Sequence, residues 1–290
     1  MGCLTRRSFI QRFLSGVILP LFHSKHMRIS TPHGGLAPIG RRGWGEKGII
    51  TGFQGEELRY QIQFLWFTCA AIGRVLFEED KRNGVYRATL EGRTTGVIGW
   101  LTQYRRDTYT SFMEFIDGGR RLRSRRFEED IVIGGKIRKK IIHFDYRKGK
   151  LIKRRMNRRG VFIQTEEKIP KGVIYDDFIT AFYNFRCGVY GKIQRGKRYR
   201  IRTLPKARVS TIDVEIATKE DEMRMRQGEG DKGLREYYIM VFLDREITRS
   251  RTGKVTGWVS KNLVPLEGTI EDVVFFGDVH WVLIGKRSLS

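Results

Sequence analysis

Leu58-Arg59-Tyr60-Gln61-Ile62-Gln63-Phe64-Leu65-Trp66 repeats every second residue: Leu58, Tyr60, Ile62, Phe64 and Trp66 alternate with Arg59, Gln61 and Gln63. An amphipathic helix would space its apolar residues by three and four. A period of two predicts a strand with one buried face. Downstream, Asp80-Lys81-Arg82-Asn83-Gly84 predicts a hairpin turn, because Asn-Gly supplies the positive φ angles of a type I′ turn. Tyr86, Ala88 and Leu90 then alternate with Arg87, Thr89 and Glu91.

The same alternation recurs to the end of the chain. Ile142, Phe144 and Tyr146 precede a turn at Arg147-Lys148-Gly149, and Tyr199 and Ile201 face away from Arg198, Arg200 and Arg202. Ile212, Val214 and Ile216 form another set. Residues 236–243 and 254–259 flank a Ser250-Arg251-Thr252-Gly253 turn, and Val279, Trp281 and Leu283 close the series. One segment departs from it. Phe178, Ile179, Phe182, Tyr183 and Phe185 follow helical spacing after Asp176-Asp177, either of which can cap the first turn. The predicted fold is therefore all-β: one large curved antiparallel sheet, a sandwich or open barrel, with one helix at about 176–187 covering an opening.

The chain has 290 residues, 40% hydrophobic and 30% charged, with 33 glycines and 6 prolines. That supplies a core and many tight turns, and it argues against disorder. The formal charge of +24 concerns partners rather than fold. Between Gly118 and Gly160 there are 17 Lys/Arg against 4 Asp/Glu. Arg120, Arg121, Arg125, Arg126, Lys139, Lys140, Arg154 and Arg155 are candidates for one anion-binding patch on adjoining strands; the bland reading is a solvated sheet face.

Residues 1–26 carry Arg6, Arg7, Arg12 and Lys25 with no acidic residue, and an apolar run covers Phe13 to Phe22. Ten residues rise only about 15 Å as a helix, half of a bilayer core, which is the layout of a signal segment. Thr5-Arg6-Arg7-Ser8-Phe9-Ile10-Gln11 resembles the twin-arginine export signal, with Arg6, Arg7 and Phe9 matching and Gln11 standing in place of lysine. The expected organisation is a signal segment at 1–26, a Gly/Pro-rich linker at 27–53 and a single β-rich domain at 54–290. The expected location is the periplasm of a bacterium, reached through the twin-arginine translocase. No clean small-x-small site follows Phe22, so an uncleaved leader holding the protein at the inner membrane is a second expectation.

Gly55-Glu56-x-Leu58-x-Tyr60, Gly73, Phe144-Asp145-Tyr146 with Gly149, Ile169-Pro170, Asp176-Asp177-Phe178 and Ala181-Phe182-Tyr183-x-x-Arg186 occur in this order. Together they resemble domain of unknown function 3108, a bacterial exported family, over about residues 53–287. The resemblance implies a secreted or periplasmic β-rich protein. It brings no catalytic residues.

No motif with a mechanism stands out. No pair of histidines shows a metal-ligand spacing, and no nucleophile elbow or phosphate loop occurs, so no metal and no cofactor are expected. Adjacent carboxylates on a strand point to opposite faces and form no dyad by themselves. Cys69 and Cys187 are a candidate disulfide in an oxidising compartment or, alternatively, two buried thiols. The expected function is a non-enzymatic envelope protein that binds lipid or other anionic material, such as lipopolysaccharide or polysaccharide, through its curved sheet and basic face. The alternatives are a glycan- or lipid-modifying enzyme using Glu56, Asp145 or Asp177, and a nucleic-acid binder, which the export signal demotes.

Overall fold

A computed structural model describes residues 52–80, 84–206, 209–226 and 233–288. Arg6, Arg7 and Phe9, the leader and nearly all of the linker lie outside the described residues.

The alternating segments form one antiparallel sheet of fourteen strands among the described residues. The first meander contains β1 (Glu56–Phe64), β2 (Phe67–Asp80), β3 (Val85–Thr94), β4 (Arg106–Ile116), β5 (Arg121–Ile133), β6 (Lys136–Asp145), β7 (Lys150–Met156) and β8 (Phe162–Lys168). The second contains β9 (Arg198–Lys206), β10 (Val209–Ile216), β11 (Tyr237–Phe242), β12 (Lys254–Val259), β13 (Pro265–Val273) and β14 (Gly277–Ser288). Within each meander neighbours in sequence pair, and β1 pairs with β14 to join the two. The edges of the sheet are thus β8 and β9, and the ring stays open between them. The expected all-β architecture is borne out as an open curved sheet.

The predicted helix is α2 (Phe178–Arg186), after a short α1 (Gly96–Leu101). The Asp177 carboxylate caps α2, accepting from the N–H groups of Ile179 and Thr180 at 2.9 and 3.0 Å. Gly188, at φ +72°, ends it, and Val189 N–H returns to the Asn184 carbonyl. Seven of its nine residues are buried. Ile179 and Tyr183 join the core of the first meander with Phe77, Met113, Leu122 and Leu151. Ala181 and Phe185 join that of the second with Tyr199, Ile201, Ile212 and Val214. The sheet therefore curls around α2, which fills its interior as well as closing it.

Several expectations change. Trp66 is not in the core: β1 ends at Phe64, Leu65 turns at φ +49°, and Trp66 is 67% exposed. Phe53, assigned to the linker, is buried and packs edge-on against Tyr183 at 5.4 Å. Besides α1, two further helices were not anticipated, α3 (Lys219–Arg226) and the single turn α4 (Arg245–Thr248). Among the described residues Cys69 and Cys187 are not joined to each other and both are free thiols. Cys69 is exposed near the start of β2, whereas Cys187 sits at the end of α2, where burial pushes its thiol up to about 12.

Candidate functional site

Three polar anchors fix α2 inside the sheet. Asp177 accepts from Ser111 of β4, Ser124 of β5 and Thr180 of the helix at 2.6, 2.7 and 2.8 Å, in addition to its two capping bonds. All four side chains are shut off from water, and the carboxylate is saturated. One turn on, Asn184 bonds both the N–H and the C=O of Leu122 at 2.9 Å. The β5–β6 ladder ends at Arg126–His143, so Asn184 takes over the Leu122 backbone groups where β6 has left them. At the far end of the helix, Arg186 forms a two-pronged pair with Glu56 at 2.5 and 3.0 Å. Their side chains are 2% and 3% exposed, and Lys286 lies 3.4 Å from the same carboxylate.

Asp176 differs from its neighbour. It is fully buried, pairs with Arg121 at 2.8 Å and accepts from the Tyr190 hydroxyl at 2.5 Å, yet its Oδ1 has no hydrogen-bond partner among the described residues. Burial raises its pKa to about 6 against the pull of Arg121 and Tyr190.

The three carboxylates considered for catalysis are not assembled. Glu56 and Asp177 serve opposite ends of a nine-residue helix, separated by roughly 13 Å of rise. Asp145 accepts from the Lys148 N–H in the β6–β7 turn. Among the described residues no group of three His, Cys, Asp or Glu side chains could hold a metal.

The open seam between β8 and β9 leads into a cleft of about 1410 Å³. Phe178 of α2 reaches its floor, and the buried Asp177 lies behind it. One wall comes from β5–β8 and the other from Thr203 and Leu204 of β9, Ile212 of β10 and the α4 segment. The register explains the chemistry of the first wall. Phe144 faces Leu151, Ile142 faces Lys153, and Lys140 faces Arg155 across β6 and β7. On the other side of β6, Phe127 faces Ile142, Glu129 faces Lys140 and Ile131 faces Arg138. One concave face thus changes within three pairs from buried Phe144 and Leu151 to Lys140, Arg155 and Arg138. Glu129, beside Lys140, also lies 3.7 Å from Arg249. Lys136, Arg138, Arg155 and Arg158 at the mouth form no ion pair with a carboxylate among the described residues. Basic side chains outnumber the acidic Glu129, Asp244 and Glu246 around the cleft, and an apolar floor under such a mouth accommodates a molecule with an apolar body and an anionic head.

Of the eight anion-binding candidates, Lys139, Lys140 and Arg155 line this cleft. Arg121 is committed to Asp176, Arg125 to Glu114 at 3.7 Å, and Arg126 to Glu128 at 3.1 Å and the Phe112 ring. Arg154 stacks on Phe162 at 5.1 Å, and Arg120 is exposed beyond β4. Strand alternation separates one doublet, because adjacent residues point to opposite faces and only Arg155 of the Arg154–Arg155 pair turns into the cleft, whereas Lys139 and Lys140 both reach it. Arg138 and Lys153, which share the inner face with Ile142, were missed; their parity with Ile142 and Phe144 was the available signal.

The residues that carry the family resemblance in the sequence are nearly all structural. Gly55 holds φ +68° at the entry to β1, and Leu58 is completely buried. Tyr60 donates to the Pro265 carbonyl at 3.2 Å, and Gly73 backs onto the Tyr60 side chain. Glu56, Asp177 and Arg186 are the helix anchors described above. No curated protein and no solved structure matches the chain. The family described as "Protein of unknown function (DUF3108)" matches residues 59–278, most of the chain, and the protein belongs to that family.

Proposed function

We propose that this protein is a non-enzymatic component of the bacterial envelope that holds an anionic amphiphile, a lipid with a phosphate or carboxylate head, in the cleft beside α2. The observation that carries the reading is the graded inner face of β5–β7, apolar at Phe127, Ile142 and Phe144 and basic at Arg138, Lys140 and Arg155. Acyl chains gain by leaving water for the floor, and the head is held by charge-assisted hydrogen bonds at the mouth. The volume suits a lipid better than a bare ion. The leader supports a location beyond the inner membrane, where such lipids are the abundant anions.

The test presents the purified full chain with phosphatidylglycerol and with phosphatidylcholine, both short-chain and dispersed below micelle formation. The expected result is tighter retention of the anionic lipid, with a preference that shrinks in high salt because the headgroup part is screened. Equal retention of the two lipids, or none, ends the proposal. Cell fractionation tests the location separately: the protein should appear outside the cytoplasm.

A further inference from the structure

Exposed apolar side chains concentrate at the end of the sheet that carries Lys136, Arg138 and Arg158 of the cleft mouth. Strand direction and register put the β1–β2, β5–β6, β7–β8 and β13–β14 connections, together with α1 and α4, at the same end of the sheet. Among the described residues, eleven of the fifteen exposed large apolar side chains lie at this end. The β1–β2 and β13–β14 tips present Trp66, 67% exposed, and Phe275, 78% exposed. The α1 segment adds Val97, Trp100, Leu101 and Tyr104. Ile137 and Val161 sit on the two remaining tips, beside the basic mouth. The tips stand on a packed base: Phe64 meets Phe276 edge-on at 4.9 Å within a cluster that includes Ala70 and Ile98. Backbone hydrogen bonds tie the rim together, from Gly134 to Gln103 at 2.9 Å and from Val274 to Arg249 at 2.9 Å.

We infer that this end of the molecule docks on an anionic lipid bilayer, with Trp66, Trp100 and Phe275 entering the interface and the cleft opening against the headgroups. Trp and Tyr favour that depth of a bilayer because each ring has an apolar body and a polar edge. Exposed apolar patches on this scale mark interaction surfaces. Lys136, Arg138 and Arg158 supply the charge complementary to anionic headgroups, having no carboxylate of their own among the described residues. A second copy is the weaker occupant, because two chains of charge +24 would bring their basic mouths together. The inference deepens the lipid-binding reading, on which it rests for the exchange of ligand between bilayer and cleft.

The test uses the full chain and vesicles of phosphatidylcholine with and without phosphatidylglycerol, read by flotation. The apolar run at 13–22 contributes the same background to every variant. Trp66→Ser with Phe275→Ser removes two side chains that are mostly in water, so folding should persist, as checked by circular dichroism. Met223→Ser with Met225→Ser is the matched control, since α3 connects β10 to β11 at the opposite end. The tip variant should bind anionic vesicles about tenfold more weakly while the α3 variant matches wild type, and both should retain short-chain phosphatidylglycerol. Flotation of the tip variant at the wild-type level overturns the inference even if the cleft holds lipid. Loss of a dimer in sedimentation, with vesicle binding unchanged, overturns it in favour of a second copy. Lost vesicle docking in the tip variant, in a protein that never retains short-chain lipid, supports docking and removes the cleft reading alone.

Discussion

The helix anchors and the cleft mouth lie on the same concave sheet, and they treat charge in opposite ways. Around α2 every ionised group has a committed partner: Glu56 takes Arg186, Asp177 takes three hydroxyls and two backbone N–H groups, and Arg121 takes Asp176. At the mouth, Lys136, Arg138, Arg155 and Arg158 form no ion pair with a carboxylate among the described residues. Burial accounts for the difference. A charge inside the curl is stable only when paired and hydrogen-bonded, whereas one at the rim keeps water until a ligand replaces it. Substitutions near the helix should therefore change stability, and substitutions at the mouth should change binding.

The largest effect should come from Glu56→Gln. It leaves the Arg186 guanidinium buried without its carboxylate, which should cost about 3–5 kcal/mol of unfolding free energy in urea titration. Adding Arg186→Met should recover much of that loss, because both charges are then gone. A double variant as unstable as the single one would show that the pair has some other role. Next, Asp177→Ala strips the cap from α2 and leaves the buried Ser111 and Ser124 hydroxyls with only the Thr180 hydroxyl to share, with an expected cost of about 2–4 kcal/mol. Short-chain lipid retention should survive under conditions where the variant remains folded. Loss of retention in the folded variant would place Asp177 in the binding machinery and blur the contrast.

Asp176 sharpens the comparison from within. Its folded pKa of about 6 lies above the ordinary 3.8, so the folded state holds this proton more tightly than the unfolded chain does. The contribution is complete below about pH 3.8 and disappears as pH rises through about 6. Asp176→Asn keeps a neutral group at every pH and should remove that part of the decline, on the order of 2–3 kcal/mol between pH 4 and pH 7. Denaturant unfolding at the two values measures it. An undiminished decline in the variant would assign it to other groups.

The fold was legible because the period of two survives wherever one face of the sheet is buried, from Leu58 in β1 to Leu283 in β14. The α2 helix was legible through its spacing and its cap. What escaped was short or polar. The α3 sequence Lys-Glu-Asp-Glu-Met-Arg-Met-Arg has no apolar stripe, although Thr218 and Asp221 cap it reciprocally, with Asp221 N–H donating to the Thr218 hydroxyl at 3.2 Å. The cleft was only half legible. Counting charge located its wall between Gly118 and Gly160, but which charges face inward depends on register and on the bulge between Phe112 and Met113. Before that bulge the buried positions of β5 are Leu122 and Ser124; after it they are Phe127 and Ile131. A count of basic doublets does not register that switch.

Arg154 and Arg155 turn this point into the finest of the tests. They are consecutive, both exposed, and carry the same charge, yet Arg155 lines the cleft opposite Lys140 while Arg154 lies over Phe162. Arg155→Ser should weaken retention of short-chain phosphatidylglycerol about tenfold at low salt, the worth of roughly one charge-assisted hydrogen bond. Arg154→Ser removes an equal charge one residue away and should leave retention within about twofold, since a long-range field at that distance is screened and no contact is lost. If both variants weaken binding equally, the lipid responds to total charge and the cleft wall has no privileged face. If only Arg155→Ser weakens it, the alternation that sets the fold also selects which basic side chains meet the ligand.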